Sequence, residues 1–236
     1  PTTSLPGWIG GVRNWDYRYC WLRDATLTLL AFLRAGYLEE AHRWRDWLLR
    51  AMAGSPEDIQ VMYGVAGERR LTEVELPWLA GYEGSRPVRI GNSASDQFQL
   101  DVYGEVIDAL YLARVKGITA SDDAWAMTSK VFDWLESDWQ EPDEGIWEVR
   151  GPRRHFTHSN VMAWVAFDRA TKAIQKLGRE GPLDRWSATR DAIKADVLAN
   201  GYNAELRAFV QYYGSARLDA SLLLIPLVGF LPAPDE

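Results

Sequence analysis

Glu148 lies in the stretch "DEGIWEVRGPRRHFTHSN", which runs from Asp143 to Asn160. Its neighbours are Ile146, Trp147 and Val149, and the flanking Gly and Pro place it on a loop rather than a helix. Apolar surroundings disfavour the charged form of a carboxyl and lift its pKa above the roughly 4.3 of a free glutamate. Such a group keeps its proton near neutral pH and can hand it to a departing oxygen, which cleavage of a glycosidic bond requires. The competing reading is a loop glutamate paired with Arg150.

A second stretch, "NWDYRYCWLRDA" (Asn14–Ala25), sets Tyr17, Tyr19 and Trp21 in alternation ahead of Arg23 and Asp24. A charged donor beside a charged acceptor suits adjacent hydroxyls on a sugar ring. The alternative makes Asp24 a helix N-cap and Arg23 a surface ion-pair partner. In a third stretch, "GNSASDQFQLDVYGE" (Gly91–Glu105), Gln97, Asp101 and Tyr103 could line a polar groove. Otherwise Asp96 caps the helix, and Asp101 and Glu105 lie on its wet face. His155 and His158 are three residues apart but have no evident third ligand, so no metal is expected. The Gly pairs lack the Lys-Ser/Thr of a phosphate loop, and no Ser or Cys has a nucleophile setting.

The chain that must position these residues has 236 residues, enough for one large domain. Its 12 Trp are unusual and suggest flat stacking surfaces, which match the C–H faces of sugars. A net charge of −7 argues against nucleic acid as partner. No apolar run reaches the roughly 18 residues of a membrane span, and the most apolar stretch, Leu222 to Leu231, is broken by Pro226. The single cysteine, Cys20, rules out an intrachain disulfide and fits a reducing, cytoplasmic setting. The chain starts at Pro1, so an upstream segment is expected.

Helical periodicity appears in pairs. Asp24 opens a segment with Leu27, Leu30, Ala31 and Leu33 at helical spacing, and Gly36 ends it. Leu38 to Met52, Gln97 to Lys116, Ser121 to Trp139, Thr157 to Leu177 and Leu183 to Ala199 follow, and Asp219 to Phe230 begins another. Between them "IQVMYGV", "LTEVEL" and "RPVRIGN" read as short strands within a long excursion. Helical hairpins with long aromatic loops at 55–95 and 140–156 favour a closed toroid with a pocket at one end over an open solenoid. Segments starting near Asp24, Asp96 and Thr157 are expected inside, and those starting at Leu38, Ser121 and Leu183 outside.

Taken together, "YRYCWLRDA", "RPVRIGN…QLDVYGEVIDAL" and "GIWEVRGPRRHFTHS" resemble glycoside hydrolase family 15, which holds glucoamylases, glucodextranases and bacterial and archaeal trehalases. The resemblance spans the chain from Gly11 to Leu231 and implies an all-α fold, the (α/α)6 toroid of six-hairpin glycosidases. It implies that Glu148 is the general acid, that Arg23 and Asp24 hold the non-reducing glucose, and that Tyr17, Trp21 and Trp147 line its subsite. Asn92 and Gln97 join the expected binding set. Val149 stands where fungal members carry a second Glu, and Arg89-Ile90-Gly91-Asn92 only loosely replaces their Gly-Arg-Pro-Gln. The family's general base lies far downstream of the acid and is expected outside this chain, as are the last barrel helices and an upstream β-sandwich. About seven helical segments are legible, so residues 1–236 read as the first half to two-thirds of the catalytic domain. The resemblance implies an inverting, exo-acting release of glucose from α-1,4- or α-1,6-linked oligosaccharides, with trehalose hydrolysis as the alternative. A non-catalytic helical carbohydrate-binding or scaffold protein is the reading from another class. No cofactor is implied. The expected partners are an α-glucoside and either the rest of the catalytic domain or a second copy, with apolar helix faces, including Leu222 to Phe230, exposed until covered.

Overall fold

The structure, a computed structural model, describes residues 5–118 and 122–231. Helix α1 (Leu22–Ala35) turns back into α2 (Leu38–Ala51), α3 (Asp101–Val115) precedes α4 (Asp122–Asp138), and α5 (Thr157–Leu177) precedes α6 (Leu183–Asn200). The first residue of the expected fourth segment, Ser121, lies outside the described residues. From Asp101 to Leu110 every residue of α3 is buried, and α5 is buried on all sides over most of its length. By contrast α2, α4 and α6 each bury one stripe, for example Ala124, Thr128, Val131, Phe132 and Leu135 of α4. A helix buried all round belongs to an interior layer, and one with a single apolar stripe covers it. Helix α3 packs against both α1 and α5, while α2 backs α1 and α3, and α4 and α6 back α5. Three inner and three outer helices therefore form part of an (α/α)6 toroid, with the expected segments inside and outside.

Gly104 permits the closest helix approach. A Cβ there would stand 2.0 Å from the carbonyl oxygen of Met162, so α3 and α5 touch backbone to backbone. Around that contact Tyr103, Ile107, Phe132, Trp164, Phe167 and Trp186 form the larger core. A second core joins Trp21, Leu22, Leu48, Met62 and Val106.

The excursion between α2 and α3 contains the expected strands. Strand β1 (Cys20–Trp21) pairs antiparallel with β2 (Met62–Tyr63), and β3 (Val74–Glu75) pairs with β4 (Arg89–Ile90). A last ribbon, β5 (Tyr202–Asn203) with β6 (Ala208–Phe209), follows α6.

Three boundaries differ from the sequence reading. Helix α1 starts at Leu22, so Asp24 lies in its first turn and is not the N-cap. Strand β1 runs directly into the helix, and the Leu22 N–H donates to Val61 O at 3.0 Å, which fixes the start earlier. The buried stripe is consequently Leu22, Ala25, Thr26, Leu29 and Leu33, while Leu27 is exposed. Helix α3 starts at Asp101 rather than Gln97, because residues 93–96 form a 3-10 turn. The Asn92 side chain caps that turn by accepting from the Ala94 N–H at 3.0 Å, so Asp96 is not the cap. The segment after Asp219 is a 3-10 turn followed by α7 (Leu224–Leu227), with Ile225 and Phe230 buried and Leu223 and Leu227 exposed. Among the described residues, no helix is long and apolar enough to cross a membrane.

Candidate active site

The Glu148 loop is pinned at its base. Asp143 and Arg154 exchange backbone hydrogen bonds at 3.0 and 2.9 Å. The buried Asp143 carboxylate accepts from the Leu100 N–H at 3.0 Å, tying the loop to the start of α3. Burial pushes that carboxyl up to about 7. Gly145, at φ 70°, packs against the Phe156 ring, where a Cβ would come within 2.6 Å of a ring carbon. The turn closes with the Glu148 N–H donating to Gly145 O, and Glu148 itself adopts φ 52°. A left-handed glutamate costs about 1 kcal/mol or more, and such residues cluster at functional sites.

Oε1 of Glu148 accepts a 2.5 Å hydrogen bond from Trp21 Nε1, and Arg23 Nη2 stands 3.6 Å from the same oxygen. Burial lifts the Glu148 carboxyl above its ordinary range, even though the Trp21 donor and the Arg23 charge pull the other way. The apolar wall differs from the one read in the sequence. Trp147 and Val149 are 53% and 38% exposed, whereas Trp21 is 5% exposed and touches the carboxyl. Side chains adjacent in a tight turn diverge, so sequence neighbours shield the carboxyl less than a tryptophan 127 residues away.

Arg23 is anchored from behind. Its Nη1 donates to Gln99 Oε1 at 3.0 Å and to Asp101 Oδ2 at 3.1 Å. Burial works against the guanidinium charge, but Asp101, Glu148 and Asp24 keep its pKa raised. Asp101 and Glu105 are buried in this layer and do not lie on a wet face.

Two cavities meet at Glu148. The smaller, about 370 Å³, is lined by Tyr17, Trp21, Arg23, Asp24, Leu27, Ile146, Trp147 and Glu148. The larger, about 570 Å³, is bounded by Arg13, Trp15, Tyr17, Asn92, Trp147, Glu148, Arg150 and Gln211, with Ala94 and Val149. Both fall within the size range of small-molecule sites. Polar and aromatic groups around a carboxyl of raised pKa suit a sugar ring on either side and proton transfer to the oxygen between them.

The structure gathers Tyr17, Trp21, Arg23, Asp24 and Trp147 around Glu148 and sets Asn92 on the larger cavity. Gln97 lies apart: it lines a different depression and accepts from Gln99 Nε2 at 2.9 Å. Arg150 is not the partner of Glu148. It makes a bidentate pair with Glu73 at 3.1 and 2.7 Å. The sequence reading also passed over Trp15 on the cavity wall, and Asp219, whose two oxygens accept from Trp147 Nε1 at 3.0 and 2.8 Å. Trp15 carried a signal, since it opens the aromatic run that includes Tyr17 and Trp21. Glu73 and Asp219 carried none in their local sequence. His155 stacks on Tyr213 and His158 is buried in α5, and no group of three or more His, Cys, Asp or Glu is placed to hold a metal ion among the described residues.

The profile of "Glycosyl hydrolases family 15" matches residues 1–236. Over its whole length the chain is 45% identical to a trehalase of Mycolicibacterium smegmatis and 43% identical to a trehalase of Mycobacterium tuberculosis. It spans only 36% and 35% of those proteins. Among solved structures, a glycosidase variant in complex with glucose superposes with a TM-score of 0.71 at 18% identity, over 92% of this chain and 57% of that one. The chain belongs to glycosyl hydrolase family 15.

Proposed function

We propose that the protein containing this chain hydrolyses α,α-trehalose with inversion, and that Glu148 is its general acid. The observation that carries the chemistry is the position of Glu148, a carboxyl with a raised pKa at the junction of two sugar-sized cavities. The choice of trehalose rests on the trehalases to which the chain is similar along its full length. It reverses the order read from the sequence, where release of glucose from α-1,4 or α-1,6 oligosaccharides stood first.

In this reading the smaller cavity holds the glucose whose bond is cleaved. Arg23 and Asp24 orient its hydroxyls, and Trp21 and Tyr17 flank the ring. The leaving glucose occupies the larger cavity. Trp21 occupies Oε1 of Glu148, so the proton is carried on Oε2 and passes to the bridging oxygen as the bond opens. Inversion needs a second carboxylate roughly 6.5–9.5 Å away to activate water. The proposal assigns that base to a glutamate elsewhere in the full-length protein. A purely binding role is disfavoured, because Asp24 and Glu148 line one cavity.

The test is glucose release by the full-length protein from trehalose, maltose, isomaltose and dextrin, followed by NMR. Trehalose should be cleaved best and should yield equal amounts of α- and β-glucose at first, since only the attacked ring inverts. Faster cleavage of maltose or dextrin would restore the glucoamylase-like reading, and α-glucose alone would exclude inversion.

A further inference from the structure

Beside the immediate surroundings of Glu148, a cluster of charged side chains reaches the larger cavity through Arg150. Glu73 immediately precedes β3, Arg89 belongs to β4, and Arg150 follows Glu148 by two positions. Glu73 accepts both Nη groups of Arg150 and also the Ser93 N–H at 3.2 Å, while Arg89 Nε stands 3.6 Å away. Both guanidinium groups lie over the Trp15 ring, Arg150 at 3.8 Å and Arg89 at 4.6 Å from its centroid. Arg89 further donates to Asn14 O at 3.2 Å, next to Trp15 in the chain. The Glu73 side chain is only 15% exposed, so its contacts are well shielded.

We infer that Glu73 is a positioning residue for the leaving sugar: it holds Arg150 over the Trp15 ring and so sets the wall of the larger cavity. The physical reason is the fork geometry. A carboxylate accepts two parallel N–H bonds from guanidinium and fixes its plane, and a planar guanidinium stacks on an indole. Without Glu73, Arg150 would be held by stacking alone and could swing into the cavity or out to solvent. This assignment rests on the proposed reading of that cavity as the leaving side.

The experiment compares Glu73→Gln with wild type in the full-length protein on two substrates. Trehalose fills both cavities, whereas α-glucosyl fluoride fills the smaller one and departs with little protonation. Gln keeps the volume but offers one acceptor where Arg150 needs two. On trehalose, kcat/KM should fall at least tenfold, mostly through KM, and on α-glucosyl fluoride it should change less than threefold. Arg150→Lys should reproduce the split, and the double variant should be no worse than either single one, as expected of residues acting as a unit. The basic limb of the pH profile should stay in place. Equal losses on both substrates, no loss on either, or a moved basic limb would each overturn the assignment. A wild-type protein inactive on both substrates would sink the functional reading and this inference with it. That result is distinct from a variant that merely fails to separate the two.

Discussion

Trp21 Nε1 stands 2.5 Å from Glu148 Oε1, and this contact spans 127 residues of chain. An N–H aimed at a carboxylate stabilises its ionised form. Burial nevertheless dominates and holds the carboxyl above the ordinary range. Removing the donor should therefore raise the Glu148 pKa further. In the full-length protein, Trp21→Phe should move the basic limb of kcat/KM to higher pH while lowering the rate. A limb that moves to lower pH would mean that Trp21 protects the protonated acid, contrary to the geometry.

Glu148→Gln keeps shape and hydrogen-bond reach but has no acidic proton. General acid assistance is worth about 10²–10⁴-fold, so hydrolysis of trehalose should fall by at least the lower figure. α-Glucosyl fluoride should lose much less, and the basic limb should vanish. Equal losses on both substrates would make Glu148 a positioning residue. A rate assay over pH 4–9 reads both outcomes.

Asp24 and Arg23 separate cleanly in a binding experiment. Asp24 is exposed and lines the smaller cavity, whereas Arg23 also satisfies the buried Asp101. Asp24→Ala should weaken a glucose-like inhibitor by about 10–100-fold, the worth of a charge-assisted hydrogen bond, with Tm nearly unchanged. Arg23→Ala should weaken it as strongly and also lower Tm, because Asp101 loses its partner. Calorimetry with thermal unfolding checks both. Unchanged affinity in both folded variants would leave Asp24 a first-turn helix charge and Arg23 a purely structural partner of Asp101.

Glu105 makes stability depend on pH. Burial pushes its carboxyl up to about 8, assisted by the nearby Asp101 charge. Below an ordinary glutamate pKa both the folded and unfolded chains hold the proton. Between there and about 8 only the folded chain holds it, so stability falls as pH rises through that window. Glu105→Gln imitates the neutral form. The variant should gain up to about 4 kcal/mol over wild type at pH 8 and little at pH 4. Thermal unfolding at the two pH values tests this, and a variant whose stability falls as steeply as wild type would refute it.

The helices were legible because periodicity and Gly or Pro stops are local properties. The inner and outer layers were legible because helical hairpins alternate along the chain. The start of α1 was not, because the pairing of Cys20–Trp21 with Met62–Tyr63 carries the chain straight into the helix and overrides the capping preference of Asp24. Glu148, Arg23, Asp24, Tyr17 and Trp21, which line one cavity, were picked out by residue type at short range and by the family resemblance. Their supports were hidden for one reason. Arg23 meets Asp101 across 78 residues and Arg150 meets Glu73 across 77, and charge pairing at such separations is decided by tertiary packing. Gln97 and Tyr103 line a polar depression together, as read, but it is separate from the cavities at Glu148, and Asp101 is buried away from it to hold Arg23.

Tyr17, Trp147 and Glu148 line both cavities. A common partition means that the two sides cannot be reshaped independently at those positions. Enlarging one chamber by trimming Trp147 or Tyr17 would loosen the other, so under the proposed reading selection for a new leaving group would be penalised through weaker hold on the cleaved ring. Arg13 and Asn92 line the larger chamber and not the smaller, and they escape that coupling, whereas Gln211 shares Asp219 with Trp147. Under that reading, divergence of leaving-group preference, in nature or in the laboratory, should accumulate at Arg13 and Asn92 first, leaving the wall between the chambers unchanged.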